Sequence, residues 1–236
     1  MPAVPHAIAA ADPGVVRPRD LRHTYAHPAK ELRRLTDAGA LLRLAHGYFA
    51  VVPERYRGGA WRPSIEAVGL ALAQRDYGRD AAAAMGASAA RLLGAMPRAL
   101  GSAVVAVPRQ RPALDTAVGL IRFVTRTVAR LDVQRVDTEL TSGWVTTAEQ
   151  TILDLADRPE LGDLPLSDIV IAIRRLAARV DWQQIGALAK DQRKRPAAVR
   201  AAQVVGVASP VEVSRTPSMA GLSPLLDEGH HERRMA

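Results

Sequence analysis

Basic side chains recur along one short stretch of the chain with a spacing that suits contact with DNA. The segment that begins at Pro28 is predicted to be a helix with its apolar residues on one face, which leaves Lys30, Arg33, Arg34 and Asp37 on the other side. A DNA-recognition helix needs this division, because one stripe packs on its own domain while the other presents donors to base edges and phosphates. A helix face whose arginines are simply solvated is the alternative.

The other candidate DNA contacts flank this helix and would have different roles. In its first turn, His27 and Lys30 would lie deepest in the major groove. Arg43 and His46 lie on a predicted hairpin, where this architecture commonly contacts the minor groove or phosphates. Four further side chains would lie beside the DNA backbone, namely Arg17, Arg19, Arg22 and His23. Together with the two helix arginines, these residues define a candidate DNA-binding surface.

These side chains need a scaffold, and the surrounding sequence predicts a winged helix-turn-helix. A short helix begins near Pro18 and a second runs from Pro28 to a cap at Gly39, since proline suits a first helical turn and glycine a helix end. Strands over residues 41–44 and 48–52 would form a hairpin around a tight turn. The buried face of the second helix is predicted to consist of Ala29, Leu32, Leu35 and Ala38. Helix, turn, helix and hairpin in this order favour DNA contact over simple solvation.

A change of pattern after the hairpin divides the chain. The Arg-Gly-Gly sequence at residues 57–59 predicts a hinge between a winged-helix domain, residues 1–58, and a second domain, residues 60–205. Residues 207–236 contain three Ser-Pro or Thr-Pro pairs and no sustained period, so they are predicted to be a flexible tail.

The second domain is predicted to mix helices with a small sheet. A helix capped by Ser64 and an alanine-rich helix over residues 80–96 come first. Three strands follow, over residues 103–107, 119–127 and 133–140. Four helices then begin near Thr147, Ser167, Asp181 and Pro196. The predicted fold class is therefore α+β, an N-terminal winged helix-turn-helix followed by a mixed domain with a helical C-terminal part.

The charge balance agrees with a polyanionic partner. The 236 residues include 32 basic and 24 acidic side chains, for a formal net charge of +8. Residues 1–59 and residues 60–146 each carry four surplus positive charges, whereas the remainder of the chain is neutral overall. Because 29 of the basic residues are arginine, codon bias in a GC-rich genome is an alternative explanation.

Other chemistries find little support in the sequence. The absence of cysteine excludes disulfides and thiolate sites. His23 and His27 have the spacing of a metal-binding pair, but Pro28 forces residue 27 out of helical geometry and no third ligand is near, so neither metal nor cofactor is expected. Asp137 and Glu139 alternate on a predicted strand like half of a nuclease centre, without the lysine that such a centre needs. We therefore expect no enzyme activity.

The remaining sequence signals concern location and one basic cluster. The chain has no run of 18 apolar residues and no secretory signal, which predicts a cytoplasmic protein without membrane contact. Residues 193–195, Arg-Lys-Arg, stand at a helix start and are predicted to be solvated, with a nucleic-acid or partner contact as the alternative.

Two blocks of the sequence resemble AbiEi-type antitoxins of bacterial abortive-infection operons. The first is residues 32–51, which include LRRLTDAGAL and RLAHGYFAV and resemble the winged-helix segment of that family. The second is VTTAEQTILDL at residues 145–155, which is similar to the family's TTPEQTLLDL and has Ala148 where proline is frequent. With the strands between the blocks, the resemblance covers roughly residues 15–205.

The resemblance implies a function that composition and spacing do not show. Such antitoxins bind their own promoter, often at inverted repeats, and repress it. They also neutralise a nucleotidyltransferase-like toxin from the same operon, generally without a stable complex. No catalytic residue carries over, and the DNA contacts carry over onto Lys30, Arg33, Arg34, Arg43 and His46.

We therefore expect an antitoxin that is also an autorepressor with double-stranded promoter DNA as its partner. One alternative is an ordinary winged-helix regulator whose second domain senses a small ligand or dimerises. Another, from a different class, is a nucleic-acid-processing enzyme. An adjacent gene for a nucleotidyltransferase-like protein would favour the antitoxin, whereas metal-dependent hydrolysis of DNA or RNA would favour the enzyme.

Overall fold

A computed structural model describes residues 4–211, which form a winged helix at the N-terminal end and a C-terminal unit, residues 60–211, around a six-stranded sheet. The two units mix helices and strands, so the predicted α+β class is confirmed. Within the described residues, no helix is long and apolar enough to cross a membrane.

The winged helix has a three-stranded antiparallel sheet in the order β1-β3-β2. Its elements are α1 (His6–Ala9), β1 (Val15–Val16), a 3-10 turn (Pro18–Leu21), α2 (Pro28–Asp37), β2 (Leu41–Ala45) and β3 (Tyr48–Val51). The two predicted helices and the hairpin are present. The sequence does not reveal α1 and β1, because segments of four and two residues are too short to show a period.

Local chemistry explains why α2 and the hairpin form where they do. Pro28 occupies the first helical position of α2, and Leu32 and Leu35 are fully buried on its inner face. Gly39 after the helix and Gly47 at the hairpin turn have φ values of +70° and +76°, which glycine adopts without strain. These two glycines therefore permit the tight turns that connect α2 to β2 and β2 to β3.

The C-terminal unit is built on a mixed sheet in the order β6-β7-β5-β4-β9-β8. The strands are β4 (Ala83–Ala84), β5 (Ser102–Val107), β6 (Leu114–Thr116), β7 (Gly119–Thr125), β8 (Val133–Asp137) and β9 (Ser142–Thr146). The pairs β5/β7 and β4/β9 are parallel and the others antiparallel.

Helices cover this sheet and continue into a helical C-terminal part. They are α3 (Ile65–Tyr77), α4 (Gly86–Leu92), α5 (Ala148–Asp157), α6 (Leu166–Ala177), α7 (Trp182–Asp191) and α8 (Arg195–Val205). Helix α3 packs on β5, and α5 lies among α4, α6, α7 and α8. The predicted caps at Ser64, Thr147 and Asp181 each accept a backbone N–H, which explains where α3, α5 and α7 begin.

Two predictions for the sheet region were wrong, and one strand was missed. The alanine-rich helix over residues 80–96 is instead the central strand β4 followed by the short α4, because burial between β5 and β9 outweighs the helix propensity of alanine. The strand predicted to reach residue 140 ends at Asp137. Strand β9 is not evident from the sequence, since Gly143 in it is typical of a loop. Glycine is needed there because a Cβ would meet Leu70 Cδ2 at 2.8 Å.

The winged helix packs directly against the C-terminal unit. Val15, Leu44 and Ala50 belong to the same apolar core as Val68 and Leu72 of α3. Two backbone hydrogen bonds also join the units, from Gly14 N to Leu140 O and from Ala117 N to Leu44 O, both 2.7 Å long. The orientation of the winged helix is therefore set by a continuous core and not only by residues 57–59.

The predicted tail lies mostly outside the described residues. Of residues 207–236, the structure describes 207–211. Here Val211 packs against the main core, and Pro210 O lies 2.5 Å from the position that a Cβ on Gly186 would occupy. Gly186 therefore allows the chain after α8 to pass close to α7.

Candidate DNA-binding surface

Helix α2 separates its apolar and basic residues as a recognition helix requires. Leu32 and Leu35 are fully buried, whereas Lys30 and Arg33 are exposed. Ala29 is also exposed, so the prediction that it belongs to the buried face is wrong. Two leucines are enough to hold this helix, because their neighbours in the winged helix include Ile8, Val16 and Leu21.

Residues of α2 and of the hairpin face one another across a groove of about 630 Å³. Arg33 contributes from the helix, and Arg43 and His46 contribute from the hairpin. All three are exposed, so the structure brings together three predicted DNA contacts from separate elements. Asp37 lines the same groove and gives it one negative charge.

Arg34 differs from its neighbour Arg33. Its guanidinium donates to Glu31 through two hydrogen bonds, Nη2 to Oε1 at 2.7 Å and Nε to Oε2 at 3.0 Å. The hydrogen bond from Arg34 holds the pKa of Glu31 below its usual range. Arg34 must therefore share or break an existing ion pair to contact DNA, whereas Arg33 faces the groove directly.

The remaining predicted contacts lie at the edges of this surface. His27 is exposed at the N-terminal cap of α2, and Arg22 is exposed after the 3-10 turn. Arg19 is 58% exposed, and its Nη2 lies 3.0 Å from Asp76 Oδ1 of α3. Arg17, which was predicted to lie beside the DNA backbone, is only 13% exposed and is tied up in ion pairs with Asp20 and Asp76, so that prediction is wrong.

A cluster of charges joins this surface to the end of α3. Asp76 accepts hydrogen bonds from Arg17, Arg19, Tyr48 and Arg111. Burial raises the pKa of Tyr48, and its hydrogen bond to the Asp76 carboxylate acts in the same direction. The sequence does not reveal this cluster, because no local spacing indicates that residues 17, 48, 76 and 111 meet.

The same region holds a second carboxylate between two arginines. Asp20 accepts hydrogen bonds from Arg17 and from Arg75 Nε, the latter at 2.8 Å. Burial alone would raise the pKa of Asp20, but the hydrogen bonds and charges of the two arginines hold it below its usual value. Arg75 and Asp76 of α3 thus pair with acidic and basic partners on the same side of the winged helix.

The sequence signals for other chemistry have structural explanations. Among the described residues, no group of three His, Asp or Glu side chains is arranged to hold a metal ion. Glu139 lies beyond β8 and accepts from Ser64 N and Oγ at the start of α3, so it does not alternate with Asp137 on a strand as predicted.

Lys194 is buried, with Nζ 3.0 Å from both Asp154 and Asp157, so the prediction that residues 193–195 are solvated was wrong for this lysine.

The block at residues 145–155 forms the end of β9 and most of α5. Thr147 caps this helix, and Gln150, Thr151 and Asp154 are buried along it. Burial raises the pKa of Asp154, although the charge of Lys194 opposes that shift. These polar side chains hold the helical C-terminal part together and are not exposed to a ligand.

The arrangement of α2, the hairpin and the β1-β3-β2 sheet defines a winged-helix DNA-binding protein class. Two family models match the chain. The AbiEi antitoxin C-terminal domain matches residues 82–207, and the transcriptional regulator, AbiEi antitoxin, matches residues 7–52. The chain therefore belongs to the AbiEi antitoxin family and has an antitoxin and regulator role. That family favours a regulatory protein over an enzyme.

A solved structure shares the fold. The chain is similar to the RV2827C protein from Mycobacterium tuberculosis, with a TM-score of 0.58 and 21% sequence identity over 81% of this chain and 71% of that chain. At this identity the likeness concerns the fold alone. No curated protein matches the chain.

Proposed function

We propose that this antitoxin binds its own promoter through the winged helix and represses it, and that it neutralises a nucleotidyltransferase-like toxin. The observation that carries the first part is the groove shared by Arg33, Arg43 and His46. With α2 in the major groove, the hairpin would reach the neighbouring phosphates, which is how winged-helix proteins combine base and backbone contacts.

The proposed roles of the residues follow from their positions. Lys30 and Arg33 are exposed on α2 and would reach base edges, with His27 at its N-terminal end. Arg43 and His46 would contact phosphates or the minor groove from the hairpin. Arg34 would contribute less than Arg33 because it is paired with Glu31. The backbone contacts would come from Arg19 and Arg22.

We also propose a division of labour at the predicted hinge. The DNA-binding domain would comprise residues 1–58 and the antitoxin domain residues 60–205. The shared core argues against testing this with fragments, since β1 packs on α3 and removal of the winged helix would uncover part of that helix. Substitutions in the full chain test the same division without exposing that surface.

Promoter binding is tested with the full chain and a labelled fragment of its own promoter, against a scrambled duplex of the same length. We expect preference for the promoter, strongest if it contains inverted repeats. The variant Arg33→Ala/Arg43→Ala should lose about tenfold or more in promoter affinity, since each contact of this kind is worth on the order of 1–3 kcal/mol. Arg158→Ala removes an exposed arginine from the C-terminal unit and is the matched control. Equal affinity for both duplexes would contradict the proposal.

Toxin neutralisation is tested by growth, with the neighbouring toxin gene and the antitoxin expressed from separate foreign promoters. We expect full rescue by Arg33→Ala/Arg43→Ala although its repression is weakened, because the antitoxin function would lie outside the winged helix. Loss of rescue in this folded variant would contradict the division of labour. No rescue by the wild-type chain would favour an ordinary winged-helix regulator.

A further inference from the structure

Asp76 lies outside the winged helix, but several side chains of the winged helix donate hydrogen bonds to it. It occupies the last turn of α3, and its side chain is 12% exposed. Tyr48 Oη and Arg111 Nη1 each donate to Oδ2 at 2.5 Å, Arg19 Nη2 donates to Oδ1 at 3.0 Å, and Arg17 also donates to Oδ1. A carboxylate has about four acceptor sites, so this one is fully used.

Three of the four donors come from the two sides of the candidate DNA-binding surface, and the fourth, Arg111, belongs to the C-terminal unit. Arg17 and Arg19 flank Pro18 at the start of the 3-10 turn, which precedes the recognition helix. Tyr48 is the first residue of β3 and lies directly after the hairpin turn at Gly47. Asp76 therefore links the turn and the hairpin to one another through a side chain that belongs to neither.

Further ion pairs between the 3-10 turn and α3 make the contacts of Asp76 rigid. Arg75, the neighbour of Asp76, donates to Asp20 of the same 3-10 turn at 2.8 Å, and Asp20 in turn accepts from Arg17. The reciprocal pairs lock the turn against α3, whose other faces are buried in the main core. Charge-assisted hydrogen bonds of this kind combine strength with geometric specificity.

We propose that Asp76 is a positioning residue for operator recognition. It does not touch DNA, but it holds the 3-10 turn and the hairpin at a fixed separation, so that Arg19 and the groove residues engage the same DNA site together. This inference rests on the proposed promoter binding. It adds that the specificity of the winged helix depends on a residue of the C-terminal unit.

The charge of Asp76 makes the proposal distinguishable from simpler effects. A carboxylate beside a DNA-binding surface repels phosphates, so its removal should strengthen non-specific binding. Its removal should also loosen the turn and the hairpin, which weakens binding to the operator alone. A positioning role therefore predicts opposite changes on the two kinds of DNA, whereas partial unfolding weakens both and electrostatics alone strengthens both.

The experiment measures the dissociation constants of the full chain for its operator and for a scrambled duplex at a fixed salt concentration. For Asp76→Asn we expect operator affinity to fall about tenfold, comparable to the loss of one specific contact, while scrambled-duplex affinity stays equal or rises. The matched control is Asp163→Asn, which also removes a carboxylate paired with an arginine, Arg122, but at a distance from the winged-helix contacts of Asp76. It should change both affinities in parallel.

Two further variants keep the test decisive. Asp76→Glu retains the charge and should recover part of the operator preference. Tyr48→Phe removes the hydroxyl that donates to Asp76 and accepts from Arg111 Nη2, and it should lower operator preference in the same direction by a smaller factor. An unchanged ratio of the two affinities in Asp76→Asn overturns the proposal, as does an unchanged ratio in Tyr48→Phe if Asp76→Asn does not fold. A wild-type chain without operator preference would instead refute the proposed function.

Discussion

The two sequence blocks that carry the resemblance to AbiEi antitoxins differ sharply in the fold. The block at residues 32–51 keeps Arg33, Arg43 and His46 exposed around one groove. The block at residues 145–155 buries Gln150 and Asp154 inside α5. One block thus presents exposed basic residues around a candidate DNA-binding groove, whereas the other buries its polar side chains. The polarity of a motif therefore does not reveal whether its side chains are exposed or buried.

The largest effect we expect comes from Lys194, which lies outside the buried block and pairs with Asp154 within it. Lys194→Met would leave Asp154 and Asp157 without their shared cation, and breaking a buried ion pair typically costs about 3–5 kcal/mol of stability. Urea unfolding should show this loss, while the exposed Lys190→Met serves as control and should be nearly neutral. If Lys194→Met is equally neutral, the polar cluster of α5 and α8 does not stabilise the fold.

The free energy of unfolding should depend on pH through Asp20, which pairs the winged helix with Arg75 of α3. The folded-state pKa of Asp20 is lowered, so its stabilising contribution is complete above the ordinary aspartate pKa and disappears as pH falls through the folded value. Asp20→Asn should therefore cost about 1.5–3 kcal/mol at pH 7, the usual range for hydrogen bonds to charged groups, and progressively less as the pH falls through the folded-state pKa of Asp20.

A matched surface pair provides the control for this pH dependence. Asp12 and Arg79 also bridge the winged helix and the C-terminal unit, but both side chains are at least half exposed. Exposed pairs contribute little, so Asp12→Asn should change the free energy of unfolding by less than about 1 kcal/mol at any pH. Thermal unfolding between pH 2 and pH 7 compares the two variants, and equal profiles would contradict the role given to Asp20.

The exposed block allows a comparison between adjacent arginines. Arg33→Ala should weaken operator binding about tenfold, because Arg33 faces the groove directly, while Arg34→Ala should have a smaller effect because its guanidinium is held by Glu31. Neither should lower the melting temperature, since both side chains are exposed. Fluorescence anisotropy with operator DNA measures the two effects. A larger loss in Arg34→Ala would mean that DNA binding rearranges its ion pair.

Local signals allowed much of the winged helix to be predicted. Pro28, Gly39 and Gly47 determine local backbone geometry, so α2 and the hairpin follow from their neighbours in sequence. The Asp76 cluster could not be predicted, because its donors lie 28 to 59 residues from Asp76 in the sequence and meet it only through tertiary packing. The same reason hides β4, whose two alanines favour a helix until flanking strands bury them.

The smallest effect we expect concerns the position at which this chain departs from the family's frequent proline. Ala148 is the first residue of α5, where a missing N–H is harmless, and Thr147 before it has φ −59° and ψ 171°, a conformation that suits a residue preceding proline. Ala148→Pro should stabilise the chain by about 0.4–1 kcal/mol, because proline restricts the unfolded state. That corresponds to an increase of roughly 1–4 °C in melting temperature for a chain of this length. Ala148→Gly should shift the melting temperature in the opposite direction, since glycine has greater freedom when unfolded. A lower melting temperature for Ala148→Pro would show that packing of Ala148 against the main core leaves no room for the ring.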